Sequence, residues 1–115
     1  MKTKISWIIS AVIILAIILF AIYIKTKEPV AVSEELTKCI AQNSIVYSQI
    51  GCRACESQEE KFGEYKNLLN NFLCNSDNWK TCREIGITGT PTWFIDGEYY
   101  KGVQSIEKLK ELTRC

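Results

Sequence analysis

The decapeptide "GCRACESQEE", Gly51–Glu60, contains two cysteines, Cys52 and Cys55, separated by two residues. It follows a β-rich run, "SIVYSQI", and continues into residues that favour a helix. A CxxC pair between a strand and a helix suits three chemistries: half of a zinc site, a structural disulfide, or a dithiol that exchanges disulfides with other proteins. The remainder of the chain must distinguish between them.

The position of Cys52 favours exchange. At a helix N-terminus, a thiolate is stabilised by unpaired N–H groups and by the helix dipole. Arg53 adds a positive charge beside it. Cys55 follows one helical turn later, near enough to attack a mixed disulfide formed by Cys52. We therefore predict that Cys52 is the nucleophile and Cys55 the resolving thiol.

The flanking patterns predict an α/β domain. Ser33 and Ser105 stand where N-caps are expected before the first and last helices, and Asp77 before a middle one. Asp96-Gly97 separates two β-rich runs, as in a hairpin with a type I′ turn. The predicted elements are a helix at 34–42, a strand at 44–50, a helix at 52–62, a strand at 68–74, a helix at 78–85, a hairpin at 91–102 and a helix at 105–112. In this order they form a four-stranded mixed sheet between helices.

Thr90 and Pro91 form a second signal, at the entry of the hairpin in "GITGTPTWF". An X-Pro bond is the kind of peptide bond that adopts the cis geometry at little cost. A cis Pro91 facing the dithiol would leave the backbone of Thr90 free to pair with an extended substrate segment. An ordinary strand-opening proline is the alternative.

Four further cysteines lie in the same domain. Six cysteines in 115 residues is a density typical of an oxidising compartment. Cys74 ends a predicted strand and Cys82 lies in the next helix, so we predict a local disulfide between them. Cys39 in the first helix and Cys115 at the last residue would join the two ends of the domain. A second redox pair at Cys74 and Cys82 is the alternative.

Zinc and nucleic acid fit this composition less well. The four central cysteines have the spacing C-x2-C-x18-C-x7-C, whose second half is wider than the common zinc knuckle. The chain has no histidine, which excludes histidine-assisted catalysis and histidine-containing zinc sites. Residues 33–115 carry ten Lys/Arg and twelve Asp/Glu, without a basic stripe with interleaved aromatics. We predict no metal site, no bound cofactor and no nucleic-acid partner.

The N-terminal segment is a candidate membrane anchor. Residues Ile5–Ile24 are apolar apart from two serines and a tyrosine, and twenty helical residues span about 30 Å, the thickness of a hydrocarbon core. A cleaved signal peptide is the alternative, but the bulky, basic end "FAIYIKTK" lacks the small residues of a cleavage site. Two lysines lie on each side of this segment, so the positive-inside rule does not predict its orientation in the membrane. The predicted orientation therefore rests on the cysteine density. We predict a cytoplasmic N-terminus at 1–4, a signal anchor at 5–24, a linker at 25–32 containing Pro29, and an extracytoplasmic domain at 33–115.

"CRAC" after a strand, "GITGTPT", a hairpin and a final helix together resemble the thioredoxin superfamily. More narrowly, "KFG", the cysteines Cys74 and Cys82, "GTPTWFIDG" and "GVQSIEKLKELTRC" resemble one branch of it. That branch is the thioredoxin-like domain fused to, or partnered with, prokaryotic homologues of vitamin K epoxide reductase. The resemblance covers about residues 36–115.

The resemblance implies a thioredoxin-like fold and dithiol–disulfide exchange as the activity. It implies Cys52 and Cys55 as the redox pair, and Pro91 as the cis proline, preceded by Thr90. It also implies protein thiols and disulfides as substrates, and a quinone-coupled membrane partner of the vitamin K epoxide reductase type.

This chain departs from the family pattern around the dithiol. The family often has an aromatic residue before the first cysteine and Pro-His between the two, whereas this chain has Gly51 and Arg53-Ala54. The missing histidine donor makes the pair less oxidising, and Arg53 acts in the opposite direction. Many thioredoxins bury a carboxylate six residues before the first cysteine, where this chain has Val46. We therefore expect water or Glu56 to accept the proton of the resolving thiol.

Together these observations predict a membrane-anchored thiol–disulfide oxidoreductase that oxidises its clients outside the cytoplasm. One alternative is a reductase or isomerase of the same fold. Another is a binding module stapled by disulfides or zinc, with no turnover.

Overall fold

The structure, a computed structural model, describes residues 1–25 and 30–115, so Pro29 and half of the predicted linker lie outside the described residues. Helix α1, Lys2–Lys25, has no buried residue. By length and composition it is able to cross a membrane, and its place near the N-terminus also suits a signal sequence. The predicted anchor at 5–24 lies within this helix.

The second part of the chain alternates helices and strands. Two of its helices begin with a serine cap: Ser33 accepts a hydrogen bond from Leu36 N, and Ser105 accepts one from Lys108 N, both at 3.1 Å. The elements are α2 (Glu34–Gln42), β1 (Ile45–Ser48), α3 (Arg53–Glu60), a 3₁₀ helix (Gly63–Leu68), β2 (Asn71–Leu73), α4 (Trp79–Glu84), β3 (Thr92–Ile95), β4 (Glu98–Lys101) and α5 (Ile106–Thr113).

The four strands form one mixed sheet in the order β2-β1-β3-β4. Strand β1 runs parallel to β2, with Val46 opposite Asn71, and antiparallel to β3. Strands β3 and β4 form the predicted hairpin, and Asp96 and Gly97 at its turn have φ angles of 50° and 80°. A type I′ turn requires positive φ at both of these positions, which explains the Asp-Gly pair.

Side chains alternate across the sheet and create an apolar cluster on each face. On β3, Trp93 and Ile95 pack into one cluster and Phe94 against the other. The first cluster also takes residues from α2 and α5, and the second takes Cys82 of α4. The sheet therefore lies between helices. The predicted α/β class and the thioredoxin-like fold, a four-stranded mixed sheet between helices, are confirmed.

One local prediction differs from the structure, and one element was not predicted. Asp77 does not cap α4: its N-cap is Asn78, whose side chain makes no capping bond. The Asn78 amide instead accepts a hydrogen bond from Asn75 N at 2.8 Å and donates one to Leu73 O at 2.9 Å, closing the loop before the helix. The 3₁₀ helix Gly63–Leu68 was not predicted, and it occupies much of the segment between α3 and β2.

Candidate active site

Cys52 is the N-cap of helix α3. Its sulfur accepts a hydrogen bond from Cys55 N at 3.1 Å, and its backbone is extended, with φ −82° and ψ 105°. The preceding residue, Gly51, has φ +78°, a conformation that L side chains rarely adopt. Gly51 thus permits the turn that places Cys52 at the N-terminus of the helix. At this position the N–H groups of the first turn favour a thiolate in the reduced protein.

Cys52 and Cys55 form a disulfide with a Cα–Cα distance of 5.2 Å. The two sulfurs are not equally accessible, since Cys52 is half-buried whereas Cys55 is 4% exposed. An incoming thiolate therefore reaches Cys52 more easily than Cys55. In the reverse direction, only Cys52 is accessible enough to attack a disulfide on another protein.

The loop before β3 brings Thr90 to Cys52 across a sequence separation of 38 residues. Thr90 Oγ1 donates a hydrogen bond to Cys52 Sγ at 3.4 Å, and the Thr90 carbonyl oxygen lies 3.6 Å from the same sulfur. The Thr90–Pro91 peptide bond is cis, and Pro91 is fully buried. A hydroxyl donor next to the sulfur would also stabilise its thiolate.

Helix α3 is fixed to the sheet by Gln58, a residue that the sequence analysis did not single out. Gln58 is 1% exposed. Its Oε1 accepts hydrogen bonds from Trp93 Nε1 at 3.0 Å and Gln104 N at 2.7 Å, and its Nε2 donates to Gln104 O at 3.0 Å. A buried amide with three hydrogen bonds fixes the orientation of the helix that carries the dithiol. A lone glutamine in a polar helix gave no signal of this role.

The other residues singled out around the dithiol lie in different environments. Val46 is 3% exposed and belongs to the apolar core, so it supplies no proton acceptor. Arg53 and Glu56 are both exposed. Glu56 directly follows Cys55 in the helix, and adjacent helical residues do not face each other. The expectation that Glu56 accepts the proton of the resolving thiol is therefore not supported by its position.

The remaining cysteines form two further disulfides. Cys39–Cys115 joins α2 to the C-terminal residue, with a Cα–Cα distance of 6.0 Å, and Cys74–Cys82 joins the end of β2 to α4, with 6.1 Å. Cys74 and Cys82 are 0% and 1% exposed and pack with Tyr47. Burial, with a smaller contribution from Tyr99, raises the pKa of the Tyr47 phenol. Among residues 1–25 and 30–115, no cluster of three or more potential ligands is arranged to hold a metal ion.

The site thus combines a half-buried sulfur at a helix N-terminus, a buried partner sulfur one turn later, and a hydrogen bond to the first sulfur from Thr90, the residue before the cis proline. The chain is 32% identical over 76 residues to thiol-disulfide oxidoreductase LTO1 of Arabidopsis thaliana. That alignment covers 59% of this chain and 20% of the plant protein, so the chain spans about a fifth of that relative's length.

Among solved structures, thioredoxin f from spinach chloroplast (short form) aligns with 70% of this chain and 81% of its own. The TM-score is 0.39 and the sequence identity 22%. No family model matches the chain.

Proposed function

We propose that the chain is a membrane-anchored thiol–disulfide oxidoreductase in which Cys52 and Cys55 are the catalytic pair. The observation that carries the proposal is the contrast between the two sulfurs: Cys52 is half-buried, caps α3 and contacts Thr90, whereas Cys55 is buried behind it. Similarity to a protein named as a thiol–disulfide oxidoreductase supports the same activity.

In the oxidising direction, a client thiolate attacks Cys52 Sγ. The Cys52–Cys55 bond breaks, a client–Cys52 disulfide forms, and Cys55 leaves as a thiolate that takes up a proton. A second client thiolate then attacks the client sulfur of the mixed disulfide, which releases Cys52 as a thiolate. Two electrons thus pass from the client dithiol to the cysteine pair. The role of the helix N-terminus is to make Cys52 a good leaving group in this last step.

Thr90 and Pro91 are proposed to orient the client. The Thr90 carbonyl oxygen lies 3.6 Å from Cys52 Sγ, next to the sulfur that the client must reach. An extended client segment that pairs with the Thr90 backbone would lie alongside this sulfur, as in other recognition by strand addition. The hydrogen bond from Thr90 Oγ1 would at the same time stabilise the departing thiolate of Cys52.

We further propose that α1 anchors the domain, with the N-terminus in the cytoplasm and residues 33–115 outside. Six cysteines, all of them in disulfides, suit an oxidising compartment. Tethering raises the effective concentration of the domain toward a membrane partner. The proposed partner is a quinone-linked membrane protein resembling vitamin K epoxide reductase, which would re-oxidise Cys52 and Cys55.

The test is a redox titration of the full chain in detergent micelles. The protein is equilibrated in glutathione buffers of graded potential, alkylated, and weighed with the alkylated positions mapped. We expect Cys52 and Cys55 to titrate together while the other four cysteines stay bridged. An oxidant of clients should have a midpoint well above about −200 mV, and a reductase one near about −270 mV. If all six cysteines stay oxidised throughout, the domain is a disulfide-stapled binding module, and the proposal is wrong.

A further inference from the structure

Beside Cys55 lies the carboxylate of Glu59, a residue to which the sequence analysis assigned no role. Glu59 lies four residues after Cys55 in α3, so the two side chains share one face of the helix. Both line a narrow crevice between α3 and the sheet. Glu59 is half-buried there, whereas Glu56 and Glu60 of the same helix are exposed.

The Glu59 carboxylate is held in place from the sheet. Asn71 Nδ2, on β2, donates a hydrogen bond to Glu59 Oε1 at 3.1 Å. The Asn71 side chain is itself fixed, because its Oδ1 accepts a hydrogen bond from the hydroxyl of Ser48 on β1. Ser48 is 3% exposed. This chain of hydrogen bonds runs from the core of the sheet to a carboxylate on the helix that carries Cys55.

Cys55 and Glu59 are the ionisable pair of this crevice. Val46, six residues before Cys52, is apolar and buried in the core. The other side chains that line the crevice from the sheet, from α3 and from the segments next to β2 and β3 do not ionise; they are Val46, Ser48, Gln58, Leu69, Asn71 and Pro91. A buried thiol that must lose or gain a proton thus has one carboxylate beside it.

We propose that Glu59, positioned by Asn71, exchanges the proton of Cys55 during disulfide exchange. When Cys55 resolves a mixed disulfide, its S–H proton passes to the Glu59 carboxylate and the thiolate attacks Cys52 Sγ. The Cys52–Cys55 bond forms, and the other thiolate leaves. In the oxidising direction the same proton returns from Glu59 to Cys55 as Cys55 leaves. The inference rests on the proposed function, since it assigns a residue to one step of it.

The experiment uses the full chain in detergent, with Cys52 and Cys55 reduced and the other four cysteines bridged, mixed with 5,5′-dithiobis(2-nitrobenzoate). Attack by Cys52 releases one nitrothiobenzoate in a first phase and leaves the second on Cys52. Attack by Cys55 then releases the second nitrothiobenzoate. The rate of the second phase, measured against pH, reports the step in which Cys55 loses its proton.

We expect Glu59→Gln to slow the second phase near neutral pH by about a hundredfold, the lower end of what loss of a general base costs. Its rate should also rise more steeply with pH, because hydroxide must replace the carboxylate. The first phase should be unchanged. The amide of the variant keeps an oxygen for Asn71 Nδ2, so the fold is preserved. Glu60→Gln and Glu56→Gln remove a charge from the same helix and should leave both phases unaltered.

The sign of the effect separates this role from a simple charge effect. A negative charge beside Cys55 disfavours its thiolate, so removing a carboxylate that acted only as a charge would speed the second phase. An equal or faster second phase in Glu59→Gln, or an equal slowing in Glu56→Gln, overturns the inference. If the wild-type protein releases only one nitrothiobenzoate, Cys55 does not resolve mixed disulfides, and the proposed function itself fails.

Discussion

The Cys52–Cys55 and Cys74–Cys82 disulfides both close short loops, over three and eight positions of the sequence. They differ in their surroundings. Cys52 is half-buried at a helix N-terminus and accepts two hydrogen bonds, whereas Cys74 and Cys82 are both buried in an apolar cluster with Tyr47. A thiolate is stabilised in the first environment and destabilised in the second. Environment, more than loop length, therefore separates a disulfide suited to exchange from one suited to stabilise the domain.

This contrast also bears on the idea that Cys74 and Cys82 relay electrons. An attacking thiolate must reach a sulfur along the disulfide axis, and neither sulfur is accessible in the closed domain. A relay through this pair would need the cluster around Ile87 to open first. We therefore propose a structural role for Cys74–Cys82, which would stabilise the domain by up to about 2.6 kcal/mol in the chain-entropy model.

The largest expected effect is on the rate of disulfide exchange, when the Cys52–Cys55 disulfide is removed and the Cys74–Cys82 disulfide is kept. Cys52→Ser should reduce the rate of disulfide exchange by at least about a thousandfold, as loss of a covalent nucleophile does. A hydroxyl in its place remains protonated at neutral pH. The rate is measured with the full chain in detergent, as oxidation of a reduced, unfolded client protein followed by its recovered activity.

The matched variant removes Cys74 and Cys82 together, each replaced by alanine. It should keep the exchange rate at temperatures where it stays folded, and lose stability instead. Exchange that falls as far in this variant as in Cys52→Ser, with its unfolding transition unchanged, would contradict the structural role and restore the relay.

The second-largest expected effect concerns Gln58, which holds helix α3, the helix that carries the Cys52–Cys55 disulfide. Gln58→Met preserves length but leaves Trp93 Nε1 and Gln104 N without their acceptor. Because a buried unsatisfied donor costs about 1–3 kcal/mol, we expect a loss of about 3 kcal/mol in the free energy of unfolding. Denaturant unfolding of the oxidised protein, followed by tryptophan fluorescence, measures it.

Gln42→Met is the control for this variant, since Gln42 is an exposed glutamine on α2. It should change the free energy of unfolding by no more than about 0.5 kcal/mol. Equal stabilities of the two variants would mean that the Gln58 amide does not hold α3 against the sheet.

Two helix caps and one turn, each depending on residues at most three positions apart, were predictable from the sequence. The Ser33 and Ser105 caps each bond a backbone N–H three positions on, and the Asp96-Gly97 turn depends on two adjacent φ angles. The predicted Asp77 cap was wrong. The N-cap of α4 is Asn78, whose side chain donates a hydrogen bond to Leu73 O in the preceding loop, so the helix begins without a side-chain cap.

The candidate site was predictable as a list of residues and not as a set of contacts. Cys52 and Thr90 are both marked by their motifs, but the hydrogen bond between them spans 38 residues. The Gln58 bond to Gln104 spans 46 residues and the Asn71 bond to Glu59 spans 12. Such pairs depend on how the helix is placed on the sheet, and no periodicity or spacing encodes them.

The smallest expected effect tests the contact that distinguishes Cys52 most directly from the buried pair. Thr90→Val keeps the β-branched shape and removes the hydroxyl that donates to Cys52 Sγ. Losing a hydrogen bond to the Cys52 thiolate destabilises the reduced form. A loss of about 1 kcal/mol lowers the reduction potential by about 20 mV for a two-electron couple.

Thr88→Val, which changes an exposed threonine two residues earlier, is the control and should leave the reduction potential unchanged. The glutathione titration of the full chain measures both variants. A potential that rises in Thr90→Val, or that moves equally in Thr88→Val, would mean that the Thr90 hydroxyl does not stabilise the thiolate. The difference between the two disulfides would then rest on the helix N-terminus and on exposure alone.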